Sequence, residues 1–293
     1  MFWTLKNPAF PEKIFYSDSK LTACKFSIEN PNLIACGTQD GVILIYDIRK
    51  KDNAPIAENK ESLDKHTNSV WDIQWISKGK GNKGESLVSI SADGRITEWS
   101  MKKGLEYTDL MLLRRIPQSN KKDATEKMNF RFASGLSFEF LKGESSMYLA
   151  TTEEGVIYRC SKSYTQQYLE IYSGHNGPIY KVRANPFFYD IFLTCSADWS
   201  CKLWNWRRDS PLNHFQSLDL YDEVIDIEWS PNESTVFASV CKDGRLELWY
   251  ISLYSGIWRR KTCWTPFAQS EIETRQRWQQ KQWSVSAKAI QSW

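Results

Sequence analysis

The chain has 293 residues, 41% hydrophobic and 25% charged, a balance that fits a globular fold and excludes a disordered tail. No apolar run approaches the roughly 20 residues needed to cross a bilayer. The opening MFWTLKNPAF has neither the basic nor the apolar region of a secretory signal. The net charge of +3 is unevenly placed: seven basic and two acidic residues from Arg259 onward make the tail +5 and leave the body at −2. A slightly acidic body argues against a nucleic-acid surface, which needs a basic stripe.

Along the chain, FWTL (residues 2–5) reads as the end of an inner strand and KIFYS (residues 13–17) as the outer strand that finishes the same sheet. From there one pattern recurs: a β-rich run, an acid-Gly or similar turn pair, a second β-rich run, then a closing residue that is usually aromatic. It is seen in Cys36–Tyr46, Ser89–Trp99, Ala150–Cys160, Thr194–Trp204 and Ser239–Trp249. In every copy the closing residue lies six after the turn acid at 40, 93, 154, 198 or 243. Asp-Gly supplies the positive φ of a tight hairpin, so the flanking runs pair antiparallel. Their Ile, Val, Leu and Trp suit strands buried on both faces. Further strands precede most turns, in LTACKFSI, VWDIQWI, IYKVRANP and VIDIEWSP, and an outer strand such as Gln167–Tyr172 makes each unit a four-stranded sheet. Turn-to-turn spacings are 53, 61, 44 and 45 residues. The last two fit the roughly 40–45-residue period of propeller blades with a WD signature, and the first two add an inserted loop.

Two insertions interrupt the pattern. Ser77–Glu85 is rich in Gly and Lys but lacks the order of a phosphate-binding loop, so it reads as a surface loop. In the insertion 102–127, the leucine patch Leu110–Arg115 reads as an outer strand and the polar run after it as a surface loop. After Trp249 the hairpin signal stops, and residues 255–293 form a basic Gln/Trp-rich tail expected to be irregular. Its tryptophans 264, 278, 283 and 293 either anchor a partner or belong to a frayed end.

Seven cysteines, none in a CxxC pair, argue against zinc and for a reducing compartment. His175, Ser196, Asp198 and Trp204 invite a reading as a hydrolytic triad. The set repeats in His66, Ser91, Asp93 and Trp99, and a catalytic group has no reason to appear twice at one blade position. No nucleophile elbow, zincin or dinucleotide motif is present, so neither catalysis nor a cofactor or small-molecule substrate is expected.

With Gly174-His175 and the closing Trp99, Trp204 and Trp249, the chain resembles the WD-repeat β-propellers: all-β, with about five complete four-stranded blades over residues 1–254 plus the end of a preceding blade. In that family such His, Ser, Asp and Trp sets form structural hydrogen-bond chains. Within it, Trp3–Arg49, Ser86–Arg115, Tyr168–Trp204 and Val224–Ser239 are similar to dynein intermediate chains, most closely the axonemal type of the inner arm. The resemblance implies a non-catalytic scaffold of the cilium or flagellum axoneme and cytoplasm. Its propeller would grip the tail of a dynein heavy chain beside other intermediate and light chains, with no nucleic acid or membrane partner. The family's separate light-chain region has no counterpart here, and its final repeat is missing after Trp249, so a shortened ring is expected. A soluble adaptor, serving a ubiquitin-type ligase or dynein preassembly, is the alternative. Trp199, in place of the turn Gly, and Phe187 and Phe188, in a turn at the opposite face, either dock a helical partner or fold over the neighbouring blade.

Overall fold

A computed structural model describes residues 1–77, 84–101, 104–115, 132–141, 146–216 and 221–251, with 258–264 as backbone only. Most of both insertions and the tail after 264 therefore lie outside the described residues, including the tail tryptophans 278, 283 and 293.

Twenty strands and no helix are described, and they form five four-stranded antiparallel sheets. Blade 1 is β1 (Leu21–Phe26), β2 (Leu33–Thr38), β3 (Ile43–Asp47) and β4 (Ala57–Glu58). Blade 2 is β5 (Val70–Ser77), β6 (Glu85–Ser91), β7 (Arg95–Ser100) and β8 (Glu106–Leu112). Blade 3 is β9 (Gly135–Phe140), β10 (Met147–Thr152), β11 (Val156–Ser161) and β12 (Glu170–Ser173). Blade 4 is β13 (Ile179–Ala184), β14 (Ile191–Ser196), β15 (Ser200–Asn205) and β16 (Asn213–Gln216). Blade 5 is β17 (Val224–Trp229), β18 (Val236–Cys241), β19 (Arg245–Ile251) and β20 (Trp258–Trp264). First strands of successive blades pack against one another, which is the radial arrangement of a propeller.

The repeat dictates the packing. Each closing residue faces the second strand of its own sheet: Trp99 opposite Leu87, Trp204 opposite Phe192, Trp249 opposite Phe237. Phe192 lies parallel to Trp204 at 6.1 Å, and Phe237 lies parallel to Trp249 at the same distance. Between blades, Trp75 Nε1–H donates to the carbonyl of Lys25 at 3.0 Å, and Trp229 Nε1–H to that of Arg183 at 3.1 Å. Ile43 and Ile45 of blade 1 share a cluster with Ile73 and Trp75 of blade 2, so no blade buries its faces alone.

All five first strands carry a bulge at one place. The pairing skips Thr22, Trp71, Leu136, Tyr180 and Ile225. Beyond the bulge, polar side chains converge on the axis. Lys181 of blade 4 reaches Asp72 of blade 2 at 3.1 Å, and Arg183 meets Glu139 at 3.5 Å and Glu228 at 3.2 Å. Burial pushes the Glu139 carboxyl up, while Arg183 pulls against it.

Four expectations need correction. The opening segment forms no blade strands: it makes isolated bridges, Phe2 to Lys13 and Thr4 to Asn7, and lays Phe2 and Phe15 on the blade 1 cluster. Pro8 and Pro11 lie between the two runs and cannot donate to a ladder. The outer strand expected at Gln167–Tyr172 is the shorter β12. The strand expected at the leucine patch starts earlier, at Glu106, and buries Leu110 and Met111. The tail is not irregular from 255: β20 pairs with β19 from Trp264 opposite Arg245 to Trp258 opposite Ile251, satisfying an edge otherwise left without a fourth strand.

Candidate functional site

Two kinds of candidate site emerge, internal struts and displayed aromatics. In blade 4 the Trp204 indole N–H donates to Thr194 Oγ1 at 2.8 Å, and that hydroxyl lies 2.7 Å from His175 Nε2. His175 Nδ1 is 2.8 Å from Asp198 Oδ2. Indole can only donate, and a hydroxyl has one proton to give. The protons therefore run from Trp204 through Thr194 to His175, whose Nδ1–H donates to Asp198. Asp198 also accepts from the Asn176 and Ser200 N–H groups at 3.2 Å each, and so clamps the turn before β15. Blade 2 repeats the order: Trp99 to Ser89 at 2.8 Å, Ser89 to His66 at 2.7 Å, His66 to Asp93 at 3.2 Å. Blade 5 keeps the first link alone, Trp249 to Ser239 at 2.9 Å, and its turn Asp243 takes the Arg245 N–H at 3.1 Å.

The serine expected in these sets is one step out of place. The hubs are Thr194 and Ser89, two residues earlier than Ser196 and Ser91. Alternation keeps both hydroxyls on one strand face, and depth in the sheet decides between them: Thr194 and Ser89 lie further from the turn, within reach of the closing Trp. Ser196, nearer the turn, accepts the Asp198 N–H at 3.2 Å and donates to the Gly177 carbonyl at 3.1 Å. Ser91 does the same for Asp93 at 3.3 Å and Asn68 at 3.0 Å. Burial raises the Asp198 carboxyl, but hydrogen bonds and charge from His175, with donors from Ser200 and Asn176, outweigh it and hold the group far below the usual range. Asp93 is lowered in the same way through His66. Burial lowers His175, against the opposing pull of Asp198. Every polar atom of these sets is engaged within the fold, and no hydroxyl is left aimed at a substrate. Among the described residues no group of three or more His, Cys, Asp and Glu could hold a metal ion.

The displayed aromatics lie at opposite ends of blade 4. Trp199 sits between β14 and β15 at φ +68°, the one non-Gly residue with positive φ among those described. The other four blades put glycine there, at φ +80°, +83°, +79° and +87° for Gly41, Gly94, Gly155 and Gly244. Crowding explains three of them. A Cβ at Gly41 would stand 2.0 Å from the His66 carbonyl oxygen, at Gly94 2.8 Å from that of Ala133, and at Gly155 2.6 Å from that of His175. At Trp199 the side chain has room: the indole is 46% exposed and its ring lies 5.4 Å from Tyr221, itself 64% exposed. Phe187 and Phe188 stand 43% and 50% exposed between β13 and β14. That turn is rigid, because buried Asn185 Oδ1 accepts both their N–H groups, at 2.8 and 3.0 Å. Asn185 Nδ2 donates in turn to Ser234 of blade 5 at 2.9 Å. All three remain about half exposed, and Trp199 lays its ring against Tyr221 at the entry to blade 5. The bulged residues were missed in sequence, although the exposure of Trp71 and Ile225 matches that of Trp199.

Five blades of this pattern define a WD-repeat β-propeller, and residues 166–205 match the model of the WD domain, G-beta repeat. The crystal structure of the computationally designed Ika8 protein shares the fold at TM-score 0.56 and 19% identity, over 84% of this chain and 62% of that one. By sequence the chain is similar to the axonemal dynein intermediate chains. It is 44% identical over 260 residues to human dynein axonemal intermediate chain 4, covering 84% of this chain and 30% of that protein. It is 36% identical over 256 residues to the ciliary dynein intermediate chain 2 of Heliocidaris crassispina, covering 86% and 36% respectively. The chain thus spans about a third of the length of these relatives.

Proposed function

We propose that this chain is a non-catalytic scaffold of an axonemal, inner-arm dynein complex in the cilium or flagellum, its propeller binding the tail of a dynein heavy chain. The observation that carries the reading is the similarity to dynein intermediate chains over more than four fifths of the chain. The geometry agrees, because the polar sets that look like catalytic triads are spent on internal struts while large aromatics stand in solvent on rigid turns. Trp199, Phe187 and Phe188 are proposed as docking residues, since exposed, preorganised aromatics anchor interfaces.

Coexpression with an axonemal heavy-chain tail, followed by affinity purification and mass measurement of the complex, tests this. A stoichiometric complex, weakened about tenfold or more by Phe187→Ala with Phe188→Ala or by Trp199→Gly, is the expected result. Capture of ligase subunits or chaperones in place of the tail would overturn the reading in favour of the soluble adaptor.

A further inference from the structure

The shared bulge has a geometric effect on one end of the channel. Each first strand begins at the face that carries the hairpin turns with the acid-Gly pairs, because its first residue pairs beside that turn, as Val70 does with Ser91 and Val224 with Cys241. The skipped residue is freed from the ladder there, at the channel mouth. In blades 2 to 5 that residue is Trp71, Leu136, Tyr180 and Ile225, with Trp71 43% and Ile225 44% exposed. Four successive blades thus set an arc of large apolar side chains at one opening, where the next positions inward are the polar Asp72, Ser137, Lys181 and Asp226. Trp199 and Tyr221 extend the arc outward across the same face of blades 4 and 5.

The charge beside the arc is mainly acidic. Glu153 in the blade 3 turn, Asp222 and Glu223 before β17, and Asp243 in the blade 5 turn stand against Lys242, which Glu223 holds at 3.4 Å, and the buried Arg245, which pairs with Asp243. Glu223 also accepts from Tyr180 at 3.1 Å, tying the carboxylates to the arc itself. Strain adds a second mark. Trp199 keeps a left-handed backbone where the other blades use glycine, and such strain persists in folded proteins chiefly where a side chain must be presented.

We infer that this arc, with the carboxylates around it, is a docking surface for a basic amphipathic helix of a partner protein. Apolar side chains of the helix would lie on Trp71, Leu136, Tyr180, Ile225 and Trp199, and its lysines or arginines would face Glu153, Asp222, Glu223 and Asp243. The inference builds on the scaffold reading above by naming the surface and the chemistry of what it holds.

The test uses the full chain and two probes: a recombinant heavy-chain tail, and a synthetic leucine–lysine amphipathic helix of about 18 residues with its leucine–glutamate counterpart. Trp71→Ala with Ile225→Asn, and Trp199→Gly, are the arc variants; these side chains are exposed, and glycine is what the other blades carry at position 199. Ile28→Ala, at an exposed residue between β1 and β2 on the opposite face, is the control, and unfolding curves establish that each variant is folded. The expected result is that the lysine helix binds, the glutamate helix does not, and the arc variants lose about tenfold or more while the control keeps its affinity. Equal binding of both helices, or arc variants that bind the lysine helix unchanged, would overturn the inference. If the tail binds and only the Phe187 and Phe188 variant loses it, the arc inference fails and the scaffold reading stands. If the lysine helix binds through the arc but no tail does, the scaffold reading fails and the docking surface stands.

Discussion

Replacing Thr194 by valine should be among the most damaging single changes available in blade 4, although it alters no charge and little volume. The hydroxyl sits between two buried groups, the Trp204 indole N–H at 2.8 Å and His175 Nε2 at 2.7 Å. Trp204 is fully buried and His175 only 6% exposed, so water cannot replace the lost partner. A buried group left unsatisfied costs about 1–3 kcal/mol, and two such groups put the loss at roughly 2–6 kcal/mol. Thr194→Ser keeps the hydroxyl and loses a methyl, about 1 kcal/mol. Ser196→Ala gives up two bonds at the turn, Asp198 N–H and Gly177 carbonyl, at about 1 kcal/mol, because these groups lie nearer to solvent. Urea unfolding followed by tryptophan fluorescence ranks the three variants. A loss of less than about 0.5 kcal/mol in Thr194→Val, or a larger loss in Ser196→Ala, would refute the assignment of Thr194 as the hub.

Other consequences are open to measurement. Trp199→Gly should raise stability by about 0.5–1 kcal/mol, because glycine takes a left-handed turn without the Cβ penalty; unchanged or lower thermal stability would count against strain at that turn. Stability should fall as pH drops, in two stages. His175, whose folded value is lowered, stays neutral in the fold while the unfolded chain takes up a proton below about 6.5, and Asp198 and Asp93 resist protonation in the fold below about 4. Denaturant midpoints across that range check the sign, and His175→Phe should flatten the first stage. Alkylation mapped by mass should label Cys24 first among the six described cysteines, since it alone is exposed. Burial pushes Cys36 and Cys160 to about 12 and Cys241 to about 11.

The blades were readable because a hairpin turn writes itself locally: an acid-Gly pair and a closing residue six positions on need no distant information. That is why the second and third strands of every sheet could be placed from residues alone. What escaped depends on partners far along the chain. β9, with Gly135 at its start and an insertion before it, carries no strong strand signature and is fixed by pairing with β10 and by its neighbours β5 and β13. β20 is specified by the free edge of β19 more than by its own Arg- and Lys-rich sequence. In the struts, the residue types and the turn acids were legible. Choosing between hydroxyls two apart, Ser89 or Ser91 and Thr194 or Ser196, was not, because both face the same way and only depth in the sheet separates them.

The recurring bulge also separates two demands that usually compete within a strand. Thr22, Trp71, Leu136, Tyr180 and Ile225 stand outside the ladder register, and of the five Tyr180 alone packs against a cluster between blades. At the other four positions the residue can drift with little effect on pairing or core, and the variety already present illustrates that freedom. A duplicated gene of this architecture could therefore change allegiance through a handful of codons spaced one per repeat, leaving the scaffold that presents them untouched.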